Sequence, residues 1–465
     1  MKVALLKNVH GALKPIIILL LLAAAFACFI LLTEPLWGLV FILATIIYAA
    51  YAVKPIYAVL VLLIIRPALD QYSAYINLQL PTTPPLTIEG TSVFSIISII
   101  FTGLVIANIL LTQESARHKW RQLWHNKTFW ALLLLLAVSA ISTAYTIFWK
   151  PSVLEIGRFV SIILYFPVFY LYVAGYRQFR ELAYALYLAT IIPFGAALYQ
   201  LVTGQGIISN IGEQSRIYGT FAHPSHLAIF AFIVFTVAAT MFIYTQTISK
   251  KIDKISLLIG AVSAGVLLLT SSRTAFAALV IFVLIIGLAK YRKALLIILA
   301  VLAIFVLLYN PLYERLANIT DNSIYSSGRW RTDYWHDIYA YRVSERPFLG
   351  HGTGSAVYVA ESLWGYNAGL YSYDPHNDYL LMLMELGYLG LLIYLTFFAS
   401  VFCTIGKYLK KFPQEKTFIL AIIALIIGVM IISGLDNVFR GTAIMIIFIS
   451  LTGGLLGYIQ NKLVK

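Results

Sequence analysis

Three short polar stretches interrupt the apolar runs of this chain, and each holds residues able to do chemistry. They are Arg216-Ile-Tyr-Gly-Thr-Phe-Ala-His223-Pro224-Ser225-His226, then Thr270-Ser271-Ser272-Arg273-Thr274, then Asp374-Pro375-His376-Asn377-Asp378 leading into a run that contains Glu385, Gly387 and Gly390. In the third stretch Asp374 is expected to cap a helix and Pro375 to fill its first turn, where a missing N–H costs nothing. His376 would then face the positive end of a helix dipole, which disfavours the imidazolium. A neutral imidazole at a membrane–water boundary can take a proton from a hydroxyl. The plainer alternative is an interfacial polar residue that closes the loop. Glu385 lies about two turns deeper in the same helix and needs a polar partner, for which Arg440 is a candidate. A structural ion pair fits that position as well as a catalytic one.

The other two stretches point to anions. Pro224 marks a helix start, so Arg216 is expected a few residues outside it, and an arginine beside an amide-rich terminus makes an anion site. Arg273 stands in a tight turn between apolar helices, where its charge is costly unless it meets an anion or a water-filled cavity. Pairing with a nearby carboxylate is the structural alternative. His223 and His226 have no third ligand beside them, so packing or hydrogen bonding is expected rather than a metal site.

The elements that must position these residues are membrane helices. Of 465 residues, 61 % are hydrophobic and 11 % charged, and the mean hydropathy is +0.88; soluble domains average about 25 % charged. An all-α, polytopic helix bundle of about 12–14 spans is expected. The spans fall near 15–32, 36–53, 55–66, 91–111, 129–148, 155–175, 181–202, 225–246, 255–270, 275–289, 294–309, 377–405, 417–433 and 441–459. The third is short for a crossing. The first, basic-flanked run reads as a retained helix rather than a signal peptide. Cys28 and Cys403 both lie in apolar runs and indicate neither a disulfide framework nor a metal site.

Placing both termini in the cytoplasm puts 17 of 18 lysines on that side, the positive-inside pattern. Ten of 15 arginines then fall at or near the outer face: Arg66, Arg158, Arg216, Arg273, Arg315, Arg329, Arg331, Arg342, Arg346 and Arg440. Retaining arginines against the topology bias suits phosphate binding, because the planar fork takes two oxygens at once. Local pairing is the alternative, and Glu155 with Arg158 has the spacing for it. Two outer loops are long. Residues 67–90 are proline-rich and read as an extended cover. Residues 310–376, about 65 in number, have room for short helices on the membrane surface but not for a separate domain. Within them 328–342 reads as an amphipathic interfacial helix. Gly350-His351-Gly352-Thr353-Gly354 reads as a turn or backbone-donor loop, without the strand of a dinucleotide site.

Absences narrow the chemistry. The first outer loop, Thr33-Glu34-Pro35, lacks paired aspartates for a divalent ion. No nucleotide-binding loop, Ser–His–Asp ordering or nucleic-acid-binding signature is recognisable. A phosphate-bearing substrate would therefore be lipid-borne and held by arginines, with no cofactor and no metal.

In ordered motifs across residues 200–405 the chain resembles the O-antigen ligase and polymerase superfamily of bacterial envelope glycosyltransferases. The resemblance rests on Arg216, Gly219 and His223-Pro224; on Ser272-Arg273; on Gly328-Arg329 through Arg346-Pro347 to Gly354; and on His376-Asn377 followed nine residues later by Gly387-Tyr-Leu-Gly390. It implies a division into N-terminal membrane helices (1–200), a catalytic region including the 310–376 loop (201–405) and C-terminal membrane helices (406–465). It also implies transfer of a glycan from undecaprenyl diphosphate to a hydroxyl of lipid A–core, at the periplasmic face of the bacterial inner membrane. Arg216 and Arg273 would hold the diphosphate and His376 would act at the acceptor hydroxyl. His223, Arg329, Asp374, Asp378, Glu385 and Arg440 would support them.

Diphosphate is a good leaving group, so the reaction needs charge stabilisation and deprotonation of the acceptor. Losing one such donor typically costs about 3 kcal/mol. With no second carboxylate to serve as nucleophile, direct displacement with inversion is expected. A polymerase that uses a second lipid-linked glycan as acceptor is the alternative within the family. A flippase for the same glycan is an alternative outside it, but would place its charges along a midplane path rather than on one face.

Overall fold

Backbone groups cannot stay unpaired in hydrocarbon, so apolar runs of this length fold as helices. A computed structural model describes residues 35–71, 77–80, 86–206, 215–249, 252–317, 327–364 and 374–464. The first half contains α1 (Pro35–Val53), α2 (Pro55–Ala68), α3 (Gly90–Thr112), α4 (Glu114–Leu123), α5 (Lys127–Ser142), α6 (Trp149–Ile163), α7 (Tyr165–Tyr172), α8 (Tyr176–Ala189) and α9 (Ile191–Thr203). The second half contains α10 (Pro224–Ser249), α11 (Lys254–Leu269), α12 (Arg273–Ala289), α13 (Arg292–Leu308), α14 (Asn310–Ala317), α15 (Ser327–Ile338), α16 (Ala356–Trp364), α17 (Asp378–Lys411), α18 (Lys416–Ser433) and α19 (Thr442–Val464).

Among the described residues seven helices are long and apolar enough to cross a membrane. Two further pairs, α4 with α5 and α13 with α14, pass that test together but bend by 66° and 96°. Four shorter apolar helices, in α1, α2, α11 and α12, complete the set. Every expected span from 36 onward thus contains an apolar helix. The expected span at 15–32 and its basic flank lie outside the described residues.

The long 67–90 loop is not wholly extended cover: Asn77–Leu80 (β1) pairs antiparallel with Leu86–Glu89 (β2). Its start is tied to the 215–223 loop, because Gln71 N–H donates to Thr220 O at 2.9 Å and Thr220 Oγ1 donates to Pro67 O at 2.7 Å.

Helix α19 forms the centre of the bundle, and its candidate span is wholly buried. It packs closely on α7 because Gly457 has no side chain; a Cβ there would meet Tyr170 O at 2.3 Å. Helix α10 is the next most enclosed span. The site-bearing stretches therefore hang on the most constrained helices: His223 precedes α10, His376 precedes α17, and the 434–441 turn precedes α19.

Helix α17 was expected to be continuous, but Gly387 breaks it with φ 65° and ψ −163°. Side-chain-bearing residues do not tolerate this region, and a Cβ at Gly387 would meet the Phe348 carbonyl carbon at 2.3 Å. The 346–354 loop inserts there and satisfies the groups that the break frees. His351 N–H donates to Met384 O (2.9 Å), Gly352 N–H to Glu385 O (2.8 Å), and Tyr388 N–H to Pro347 O (2.7 Å). The backbone-donor loop read from Gly350–Gly354 thus exists, and these two amides serve the helix. Downstream of the break, residues 388–411 retain about 36 Å of helix, enough to span.

Candidate active site

The loop before α10 is shaped by Gln200, whose Oε1 accepts from Tyr218 N (2.9 Å) and Gly219 N (2.8 Å). This holds Arg216 in a buried position, where its Nε donates to Thr270 O at 2.9 Å. That contact is with the carbonyl end of α11, and it brings Arg216 to the turn that carries Arg273. The turn itself is tight: Ser271 has φ 55°, Arg273 opens α12, and its Nη1 donates to Arg315 O at 3.3 Å. The two arginines singled out from separate motifs therefore meet around one turn.

His223 caps α10 through its ring, Nδ1 accepting from Ser225 N–H at 3.1 Å. That bond fixes the tautomer, leaving the proton on Nε2. Burial pushes the ring down to about 3; Arg216, His226 and His376 press the same way, and Asp436 opposes them. His223 is thus neutral at working pH. Its ring centroid lies 6.5 Å from that of His226 and 6.3 Å from that of His376, so the first and third polar stretches converge as well.

At the third stretch the cap differs from the expected one. Asn377, not Asp374, caps α17, its Oδ1 accepting from Tyr379 N (3.0 Å) and Leu380 N (3.1 Å). Asp374 is turned back to accept from His376 N at 3.4 Å and from Arg440 Nη1 at 3.2 Å. His376 itself sits just before the cap with φ 46°. Among the described residues only Ser271 and His376 are non-glycine residues with positive φ, and each lies in a polar stretch of this site. Such strain persists only where the surroundings over-determine it.

The partner of His376 is a residue the sequence reading missed. Its Nδ1 lies 3.4 Å from Asp436 Oδ1 and 3.4 Å from Asn437 Nδ2, across the turn between α18 and α19. Burial alone would raise the Asp436 carboxyl, but the His376 hydrogen bond and charge, followed by Arg331, hold it well below the usual range. An ionised Asp436 keeps the proton on His376 Nδ1 and leaves Nε2 as the acceptor. The available signal was a lone acid in a short turn between two apolar runs.

The supporting residues divide. Arg440 bridges Asp374 and Glu385, its Nη2 lying 3.7 Å from Glu385 Oε1, so the anticipated Glu385 partner is the observed one. Glu155 and Arg158 also pair, with Nε–Oε2 at 2.8 Å. For Arg440, burial acts downward, but Asp374, Glu385 and Glu155 outweigh it and firm its charge. Asp378 accepts from Phe439 N at 3.1 Å on both oxygens, tying the start of α17 to the Asp436 turn. On α15 the expected Arg329 stays half-exposed beside Asp333. Arg331 turns inward instead, donating to Leu435 O at 2.8 Å. Among the described residues no three His, Cys, Asp or Glu side chains gather as metal ligands.

A family model for O-antigen ligase matches residues 255–395. The chain carries an O-antigen ligase domain. A curated O-antigen ligase of Pseudomonas aeruginosa is 28 % identical over 201 residues, 43 % of each chain; the chain thus spans less than half the length of that relative. The ligase match holds Arg273, Arg331, His376 and the Gly387 break. Arg216, Asp436 and Arg440 fall outside it, yet they complete the same cluster. The site therefore draws on both the 201–405 and the 406–465 segments.

Proposed function

We propose that this membrane protein is a glycosyltransferase of the ligase type. In this reading it moves a glycan from undecaprenyl diphosphate to a hydroxyl of lipid A–core at the periplasmic face of the inner membrane. The observation that carries the proposal is the His376–Asp436 pair standing beside a turn that joins Arg216 to Arg273. Asp436 orients His376, and Nε2 takes the proton as the acceptor oxygen bonds to the anomeric carbon. The bond to the diphosphate breaks on the opposite face, its electron pair leaving with the phosphate oxygen. Arg216 and Arg273 neutralise the charge that appears there. A single displacement inverts the anomeric centre. Outer placement of this face follows from the lysine distribution.

The test is reconstitution of the purified protein in vesicles with lipid-linked glycan and lipid A–core, in the presence of a chelator. The expected product is glycan joined to the core with inverted linkage. A strict divalent requirement, or retention of configuration, would remove the arginine-only mechanism. The glycan pattern of a deletion strain separates the acceptors. Long free lipid-linked polymer supports ligation, whereas single-repeat products support the alternative of polymerisation.

A further inference from the structure

An imidazole 3.4 Å from an ionised, buried carboxylate has a difficulty as a base. The carboxylate favours imidazolium, and an imidazolium cannot accept the acceptor's proton. Something nearby must offset Asp436 without removing its orienting bond. The interfacial helix α15 supplies a suitable group. Trp335 Nε1 donates to Pro375 O at 2.7 Å, and Arg331, one turn earlier, donates through Nη1 to Leu435 O at 2.8 Å. One face of one helix thus holds both loops of the pair, the one before His376 and the one before Asp436. The Arg331 guanidinium and the Asp436 carboxylate act on each other through space. Arg331 Nε is buried and without a partner among the described residues, so this arginine is not consumed by a carboxylate bridge of its own.

We propose that Arg331 is the positioning residue that keeps His376 usable as a base, sharing the Asp436 carboxylate so that the imidazole stays uncharged in the empty site. The inference rests on the reading of His376 as the general base. Other charged and titratable groups around the pair are His223, His226 and Arg216 from the loop and start of α10, Asp374 before α17, Asp378 at its start, Arg440 beyond Asp436, and Arg315 beside Arg331. None of these both contacts the 434–437 turn from α15 and carries a positive charge toward Asp436.

The sign follows directly. A positive charge near the pair disfavours imidazolium, so removing it lets the protonated ring persist to higher pH. In Arg331→Gln the acid limb of the kcat/KM profile should move up by about 0.5–1 pH unit. Activity at pH 6 then falls several-fold more than activity at pH 8, and Arg331→Lys should restore most of the shift. An acid limb that stays in place in Arg331→Gln, with only protein yield or thermal stability reduced, would reduce Arg331 to a structural tie and overturn the proposal. An acid limb that persists in the residual activity of His376→Gln would instead remove His376 as the base, and with it the reading on which this inference rests.

Discussion

Two buried acid–base clusters stand at opposite ends of the helices, and they are built differently. At the lysine-rich end Glu415 accepts from Tyr408 Oη (2.6 Å), Tyr458 Oη (3.2 Å) and Lys462 Nζ (3.0 Å), and Lys411 closes the end of α19 through Leu463 O at 2.9 Å. None of these side chains leaves a buried polar atom without a partner. At the arginine-rich end the unpartnered buried atoms include His226 Nδ1, Arg331 Nε and Asn437 Oδ1, and His376 is held at a positive φ. A satisfied cluster ties helices together. One with open hydrogen-bonding capacity and backbone strain is prepared for something else to arrive.

The comparison can be broken at three points. The largest effect is expected for His376→Ala, which should lower transfer by about 10²–10⁴-fold, the usual worth of a positioned base, with the protein still folded in the membrane. Transfer rates on equal amounts of membrane-inserted protein decide this, and unchanged transfer would return His376 to a loop-closing role. Next comes the helix break that supports the open end. Gly387→Ala forces a Cβ into the Phe348 carbonyl and should destabilise the fold by about 3 kcal/mol or more, given a backbone region reserved for glycine. Thermal unfolding in detergent should show it, and a variant as stable as the parent would mean that the 346–354 clamp is dispensable. The smallest effect is expected at the closed end. Lys462 is partly exposed, so after solvent screening Lys462→Met should cost about 1 kcal/mol or less and leave kcat unaltered. A changed kcat would mean that the closed cluster reports to the site.

Much of the site was legible because its cues are local. Apolar run length and the lysine bias marked the helices and their ends. An arginine in an otherwise apolar turn marks itself by its cost, and Arg273 was found that way. The cap of α17 shows where such reasoning stops. Asp374 and Asn377 are both good caps, and the choice fell to Asn377 because Arg440, 66 residues away in the chain, takes the Asp374 carboxylate. Arg329 and Arg331 could not be told apart from composition. Two residues along a helix is roughly half a turn, so only docking of α15 on the 434–437 turn selects Arg331.

The chain's own hydropathy and charge determined that it forms a membrane helix bundle with arginines gathered at one end, since both follow from the transfer cost of individual side chains and backbone groups. Which acid meets His376 was decided by tertiary structure alone. Asp436 lies 60 positions further on, and its approach depends on how α17, α18 and α19 pack. No local period or propensity encodes that arrangement, because it arises from the fit of whole helices against one another.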